Sequence, residues 1–321
     1  MQKIALVLFV AAELCYYLLI AQTGIVEYFS SDLFTIIYLP IGGVIGSLLS
    51  FYINTSNQNK IFGFLLIQLA MSFFYPNLSS LMLFILGISV GALAPLLINE
   101  LKKGSSIQLG FALAIAYVLG TFLFNFDVAL RGNIAISLTI LAIVSLFFIK
   151  ENKSIDISNS NFALVSMLLW IFLDSSLFET LSRDENISIW RDGYTYEIAF
   201  FHLLGIILAF KLQLQKNLKE LFIIILFALC YFFYFLNEAL ILSIVYPIVI
   251  SYYNVVILQT LIHKNLKTLS IYMVFIGWFA SGAGLFIALE HLILFVPIIF
   301  IIFLIITINQ NFIPNKEKKY A

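Results

Sequence analysis

Twelve apolar runs follow one another along this chain with little polar sequence between them, and no other feature narrows its fold as much. They fall near residues 4–22, 33–53, 61–76, 79–99, 107–126, 133–149, 162–182, 195–212, 220–236, 239–261, 268–288 and 291–309, the third and ninth being short. A helix crossing the hydrocarbon core of a bilayer needs about 20 mostly apolar residues. Backbone in hydrocarbon must satisfy its own polar groups, which only helices and closed barrels do. The runs are continuous rather than alternating, and that favours helices. Composition agrees: 62% of residues are hydrophobic and 11% charged, against about a quarter charged in soluble domains. The expected class is an all-α integral membrane protein with about twelve transmembrane helices, whose first partner is the lipid bilayer.

Charge gives the expected orientation. With the N-terminus in the cytoplasm, all fourteen lysines fall inside, and the three arginines, Arg131, Arg183 and Arg191, fall outside. This is the bias of the positive-inside rule, and an error of one span in mid-chain would scramble it. Both termini are therefore expected in the cytoplasm. The first run begins directly after Lys3 without a small-residue cleavage site and reads as a retained span. Richness in Ile, Phe, Asn and Lys suggests an AT-rich bacterial genome, hence a bacterial inner membrane. Zero net charge gives no reason to expect a nucleic-acid partner. Cys15 and Cys230 lie in apolar runs and read as small hydrophobes. No cofactor or metal is expected, and the chain reads as a monomer.

The polar stretch KENKSIDISNSN separates the sixth and seventh runs. It divides the chain into a six-helix half (1–150), a cytoplasmic linker (151–161), a second half (162–310) and a cytoplasmic tail (311–321). The first and seventh runs each carry an acid, Glu13 and Asp174, and the fourth and tenth each carry one proline, Pro95 and Pro247. The paired positions lie about half a chain length apart, as pseudo-symmetric halves would give. Coincidence between Leu-rich helices is the alternative.

Twelve spans, two six-helix halves, a central linker and both termini inside resemble the major facilitator superfamily. LGISVGALAPLLINELKK is similar to that family's fourth helix, and the glycines of PIGGVIGSLLSFYINTSNQNK to the opening of its signature between helices two and three. There Ser50 or Asn54 stands in place of the signature's aspartate, and Lys60 is what is left of its basic cluster. The resemblance implies a central cavity lined by helices one, four, seven and ten, opened to each side in turn as the two halves rock.

A carboxylate at the centre of a membrane helix costs about 2.5–3.5 kcal/mol on insertion scales, so it persists where it faces water, a partner or a proton. Glu13 lies near the middle of the first run, with Tyr16 and Tyr17 on its face. Asp174 lies in the seventh, with Met167, Trp170 and Phe178 on its stripe. Both acids are candidates for carrying a proton or holding a cation; a structural hydrogen bond to a neighbouring helix is the alternative. His202 lies at similar depth and reads as a packing residue or a proton partner of Asp174. Ser243, Pro247, Ser251 and Asn254 recur at near-helical spacing, with Tyr246 and Tyr253 alongside, as one polar face suited to lining a cavity. Gly42, Gly46, Gly87, Gly91, Pro95 and Gly277 read as packing and gating positions. Glu179 and Arg183 read as an ion pair at the outer surface, and the stretch from Ser182 to Glu197 as an interfacial loop, with a cap over the cavity as the alternative.

No nucleotide-binding loop or metalloprotease motif occurs, and the GISVG match to a serine elbow lies inside an apolar run. These residues favour a secondary carrier, a symporter or antiporter, over an enzyme. Its substrate would be a cationic, metal-ion or amphipathic small molecule, because no buried basic residue is expected to hold an anion. A non-transporting assembly factor or receptor derived from a carrier is the alternative. An integral membrane enzyme acting on lipids is a more distant one. The orientation has a direct check. In a chain lacking Cys15 and Cys230, an impermeant maleimide applied to intact cells should label Asp127→Cys and spare Lys264→Cys; the reverse pattern would invert the topology.

Overall fold

The computed structural model describes residues 2–29, 33–149, 157–184, 187–191, 193–302 and 305. All regular structure among them is helical. In chain order the helices are α1 (Gln2–Tyr28), α2 (Phe34–Tyr52), α3 (Asn57–Ser72), α4 (Ser80–Leu101), α5 (Ser106–Phe124), α6 (Val128–Leu146), α7 (Leu164–Leu181), α8 (Thr195–Lys211), α9 (Lys216–Phe235), α10 (Ala239–Leu261), α11 (Leu266–Leu289) and α12 (Ile293–Ile302). Among the described residues nine of these, all but α3, α8 and α12, are long and apolar enough to cross a membrane. The protein is thus an all-α, multi-pass membrane protein. Each apolar run of the sequence overlaps one helix. The linker residues 150–156 and the tail 311–321 lie outside the described residues.

Local chemistry sets the boundaries. The hydroxyl of Ser56 accepts from the Asn59 amide (3.2 Å), so α3 starts earlier than its apolar run. Ser79 caps α4 in the same way, and Ser105 with Gln108 forms a capping box on α5. α1 outlasts its expected end because residues Tyr17–Gly24 continue it as a π-helix; α11 contains a second π-helical stretch, Val274–Ala280. α9, expected to be short, is a helix of 20 residues.

Helix neighbours repeat with a period of six. α1 packs on α5 and α6, α2 on α4, and α3 on α4. Correspondingly α7 packs on α11 and on the first turn of α12, α8 on α10, and α9 on α10. Contacts between the two sets obey the same shift, α2 meeting α11 and α5 meeting α8. Contacts mark two faces of the bundle: Lys102 bonds the Lys264 carbonyl and Gln108 the Lys3 carbonyl at a lysine face, while Arg131 and Arg191 both lie over the Phe124 ring at an arginine face.

The closest crossing joins α2 and α4. A Cβ on Gly42 would lie 2.1 Å from the Phe84 carbonyl oxygen, and one on Gly46 2.0 Å from that of Ile88. A Cβ on Gly87 would lie 2.2 Å from the Leu39 oxygen, and one on Gly91 2.1 Å from that of Gly43. Small residues let the two backbones touch. Pro95, inside α4, removes the hydrogen bond that the Gly91 carbonyl would accept; the Ser47 hydroxyl of α2 donates to it instead, at 3.1 Å. Gly277 differs from the packing role expected of it: a Cβ there meets nothing within 4 Å, because it faces a cavity. Gly46→Leu should therefore lose most of the folded protein or lower its unfolding temperature sharply, since overpacking costs about 1–3 kcal/mol or more. Gly63→Ala, where a Cβ also meets nothing, should be neutral. Equal unfolding temperatures for both variants would contradict the crossing.

Candidate functional site

A cavity of about 280 Å³ lies among α1, α4, α5, α7, α10 and α11, with Gln68 of α3 and His202 of α8 also at its wall. Glu13, Tyr16, Tyr17, Asp174, His202, Asn254 and Gly277 all line it. The two membrane carboxylates thus share one space. Both π-helical stretches border it too, through Leu18 and Gln22 of α1 and Ile276 and Trp278 of α11. A π-helix widens the turn and is frequent at functional sites.

Asp174 is partly exposed to the cavity. The Tyr246 hydroxyl donates to its Oδ1 at 2.8 Å, and the Tyr253 hydroxyl to its Oδ2 at 2.5 Å. Both tyrosines come from α10, seven residues apart and hence on one face, so one helix fixes the carboxylate of another. Tyr117 of α5 hydrogen bonds to Asn254 and stacks flat on His202, with ring centroids 4.5 Å apart. His202 Nδ1 lies 2.8 Å from Ser251 Oγ, and the ring also bonds to the Pro247 backbone. Across the cavity, Gln68 Nε2 donates to Glu13 Oε1 and to Thr139 Oγ1, each at 3.1 Å.

At the arginine face, residues 187–191 turn inward and cover the cavity. Trp190 is buried, packs edge-on against Phe178 and Tyr246, tilts against Phe124, and borders the cavity. Arg191 pairs with Glu27 of α1 at 2.5 Å, tying this cover to the other set of helices. Of the two readings of this stretch, interfacial loop or cap, the position of Trp190 fits the cap; residues 185, 186 and 192 are not among those described. At the lysine face the cavity ends on Leu97, Ile98, Leu258 and Leu261. There Lys102 Nζ donates to the Lys264 carbonyl at 2.7 Å, joining the α4–α5 and α10–α11 turns. Burial lowers the Lys102 ammonium below its ordinary pKa. Ser50 bonds Ser270 of α11 at 2.8 Å, and Lys60 Nζ donates to the Ser50 carbonyl at 3.0 Å.

Several expected residues sit elsewhere. Met167 and Trp170 are fully buried and do not line the cavity; Phe162, just after the linker, packs edge-on against Trp170. Tyr246 and Ser251 are also fully buried and reach the site through Asp174 and His202. Glu179 and Arg183 form their ion pair at 2.7 Å, but Glu179 is buried, with Gln22 as a second partner, not a surface group. Arg131, expected in a loop, is buried at the start of α6, where it donates to the carbonyls of Phe124, Phe126 and Leu19 and to Thr23. Tyr253 sits on the polar face of α10 expected to line a cavity, and Trp190 in the outer stretch, but Tyr117 and Trp278 were not singled out from the sequence. The only signal of those two was aromatic richness, which lipid-facing positions share.

The chain matches no protein-family model and no curated protein. Its site is read from geometry.

If Trp190 caps the cavity, a cysteine at Ser175 should report it. In a chain lacking Cys15 and Cys230, Ser175→Cys should react slowly with an impermeant maleimide from the arginine face, and Trp190→Ala should speed the reaction severalfold. No change in rate would show that the cap does not limit entry.

Proposed function

We propose that this protein is a secondary carrier that moves a small solute across a bacterial inner membrane by alternating access, with proton movement coupled through Glu13. In this reading all twelve helices span, 1–150 and 162–310 form two halves, and both termini are cytoplasmic. The observation that carries it is that Glu13 and Asp174, one from each half, line the same cavity between the halves. A buried carboxylate that water can reach gains and loses a proton as its surroundings change, which is what coupling requires.

The six-fold shift in helix contacts supports two halves that rock as units. Polar contacts tie the sets together at both faces: the Trp190 cap with Arg191–Glu27 on one, and Ser50–Ser270 with Lys102–Lys264 on the other. Each set can break while the other holds. Ser50, at a position of the family signature's aspartate, still bridges the halves through a neutral bond, and Lys60 still binds its backbone. These contacts keep a reduced form of the junction at which the resemblance to the major facilitator superfamily was weakest.

Proteoliposomes loaded with a pH-sensitive dye test the proposal against a panel of small solutes. A carried solute should move protons in the wild type, and Glu13→Gln should abolish that proton movement. No solute-driven proton movement with any of the panel, or an unchanged response in Glu13→Gln, would contradict the coupled carrier.

A further inference from the structure

We infer that the cavity takes a small monovalent organic cation, a protonated or quaternary amine on an apolar body, with Asp174 as its counter-ion. The inference rests on reading this cavity as the binding site. It adds the class of ligand, which the carrier proposal leaves open.

Charge balance comes first. The cavity wall holds two carboxylates and neither lysine nor arginine. The three guanidinium groups are used elsewhere: Arg183 on the Glu179 carboxylate and carbonyl, Arg131 on three backbone carbonyls, and Arg191 on Glu27. Asp174 receives two phenolic hydrogen bonds, which orient it but bring no positive charge. A desolvated carboxylate without a cation is costly, so a ligand that brings one positive charge gains what the protein does not supply. The same carboxylates repel an anionic ligand.

The surroundings then choose among cations. Among the described residues no three or more His, Cys, Asp or Glu side chains gather in a way that could hold a metal ion. A hard divalent cation wants about six or more oxygens, and the two Asp174 oxygens already serve as acceptors. The cavity is instead rich in aromatic groups: Tyr253 bonds Asp174, and Tyr17, Tyr117 and Trp278 border the same space. Aromatic faces attract ammonium groups, the more so when both are desolvated, and aliphatic Val90, Leu93 and Ile250 suit an apolar body. At about 280 Å³ the cavity lies at the low end of small-molecule sites, which run about 300–1,000 Å³, so the ligand is compact.

Equilibrium binding to the purified full-length protein in detergent tests this without a gradient. Four probes serve: benzyltrimethylammonium, its uncharged carbon isostere neopentylbenzene, benzoate and Mn²⁺. The ammonium should bind at least about tenfold tighter than the isostere, a difference of about 1.4 kcal/mol. Asp174→Asn, checked to unfold at the wild-type temperature, should remove that advantage, and Tyr117→Leu should reduce it. If Asp174→Asn does not fold, the comparison of the two isosteres on the wild type decides alone. Equal binding of ammonium and isostere, tighter binding of benzoate or Mn²⁺, or no ammonium binding at millimolar concentration would overturn the inference. Ammonium binding without solute-driven proton movement would sink the carrier proposal and leave the ligand class standing. Coupled movement of other solutes with no ammonium binding would do the opposite.

Discussion

A carboxylate within a membrane bundle must be met by donors, by water or by a positive charge, and much of this structure arranges those partners for Asp174. Two tyrosines seven residues apart on α10 hold its oxygens. That bond pair fixes the relative position of α7 and α10 at mid-bundle, where hydrocarbon offers no other polar partner. α10 in turn carries Ser251 and the Pro247 carbonyl, which hold His202, and His202 stacks on Tyr117 of α5. The polar chain thus runs from α7 through α10 and α8 to a helix of the other set. Glu13 has a smaller network, Gln68 and Thr139, within the first set of helices. The difference suits a division of work in which Asp174 holds charge and Glu13 exchanges protons.

The close α2–α4 crossing is the packing counterpart of that polar chain. Four glycines bring the two backbones into contact, and Ser47 joins them by bonding the carbonyl that Pro95 leaves free. Trp278 of α11 donates to the same Ser47 at 3.1 Å, so a rigid pair in one set carries a hinge-like contact to the other. The corresponding pair, α8 and α10, approaches at Gly205, where a Cβ would lie 2.6 Å from the Ile248 oxygen. Stiff pairs joined by a few polar contacts are what the proposed alternating access requires.

Much of the helical framework was legible in the sequence, because hydrocarbon allows so few backbone forms. Each apolar run became a helix, and the acids, prolines and glycines that interrupt them marked α1, α4, α7 and α10. Side-chain direction was less legible. The stripe through Asp174 pointed to Met167, Trp170 and Phe178, yet of these only Phe178 borders the cavity, which also follows Ile171 and Ser175, and Phe162 packs beside Trp170. Helical periodicity gives a face, but the neighbours decide which part of that face is open. Arg131 and the stretch containing Trp190 were read as loop residues from their polarity and aromaticity. Both turn inward, because unpaired carbonyls near Phe124 and the open end of the cavity supply partners that sequence does not display.

The central claim is that the cavity opens at one face while it closes at the other. Spin labels at Phe126 and Tyr196, both exposed at the arginine face, and at Lys103 and Lys267 of the lysine face measure the two openings by electron–electron distance. On changing pH or adding a bound cation, the account expects the two distance distributions to shift in opposite senses. A single unchanged distance at both faces under all conditions would contradict it.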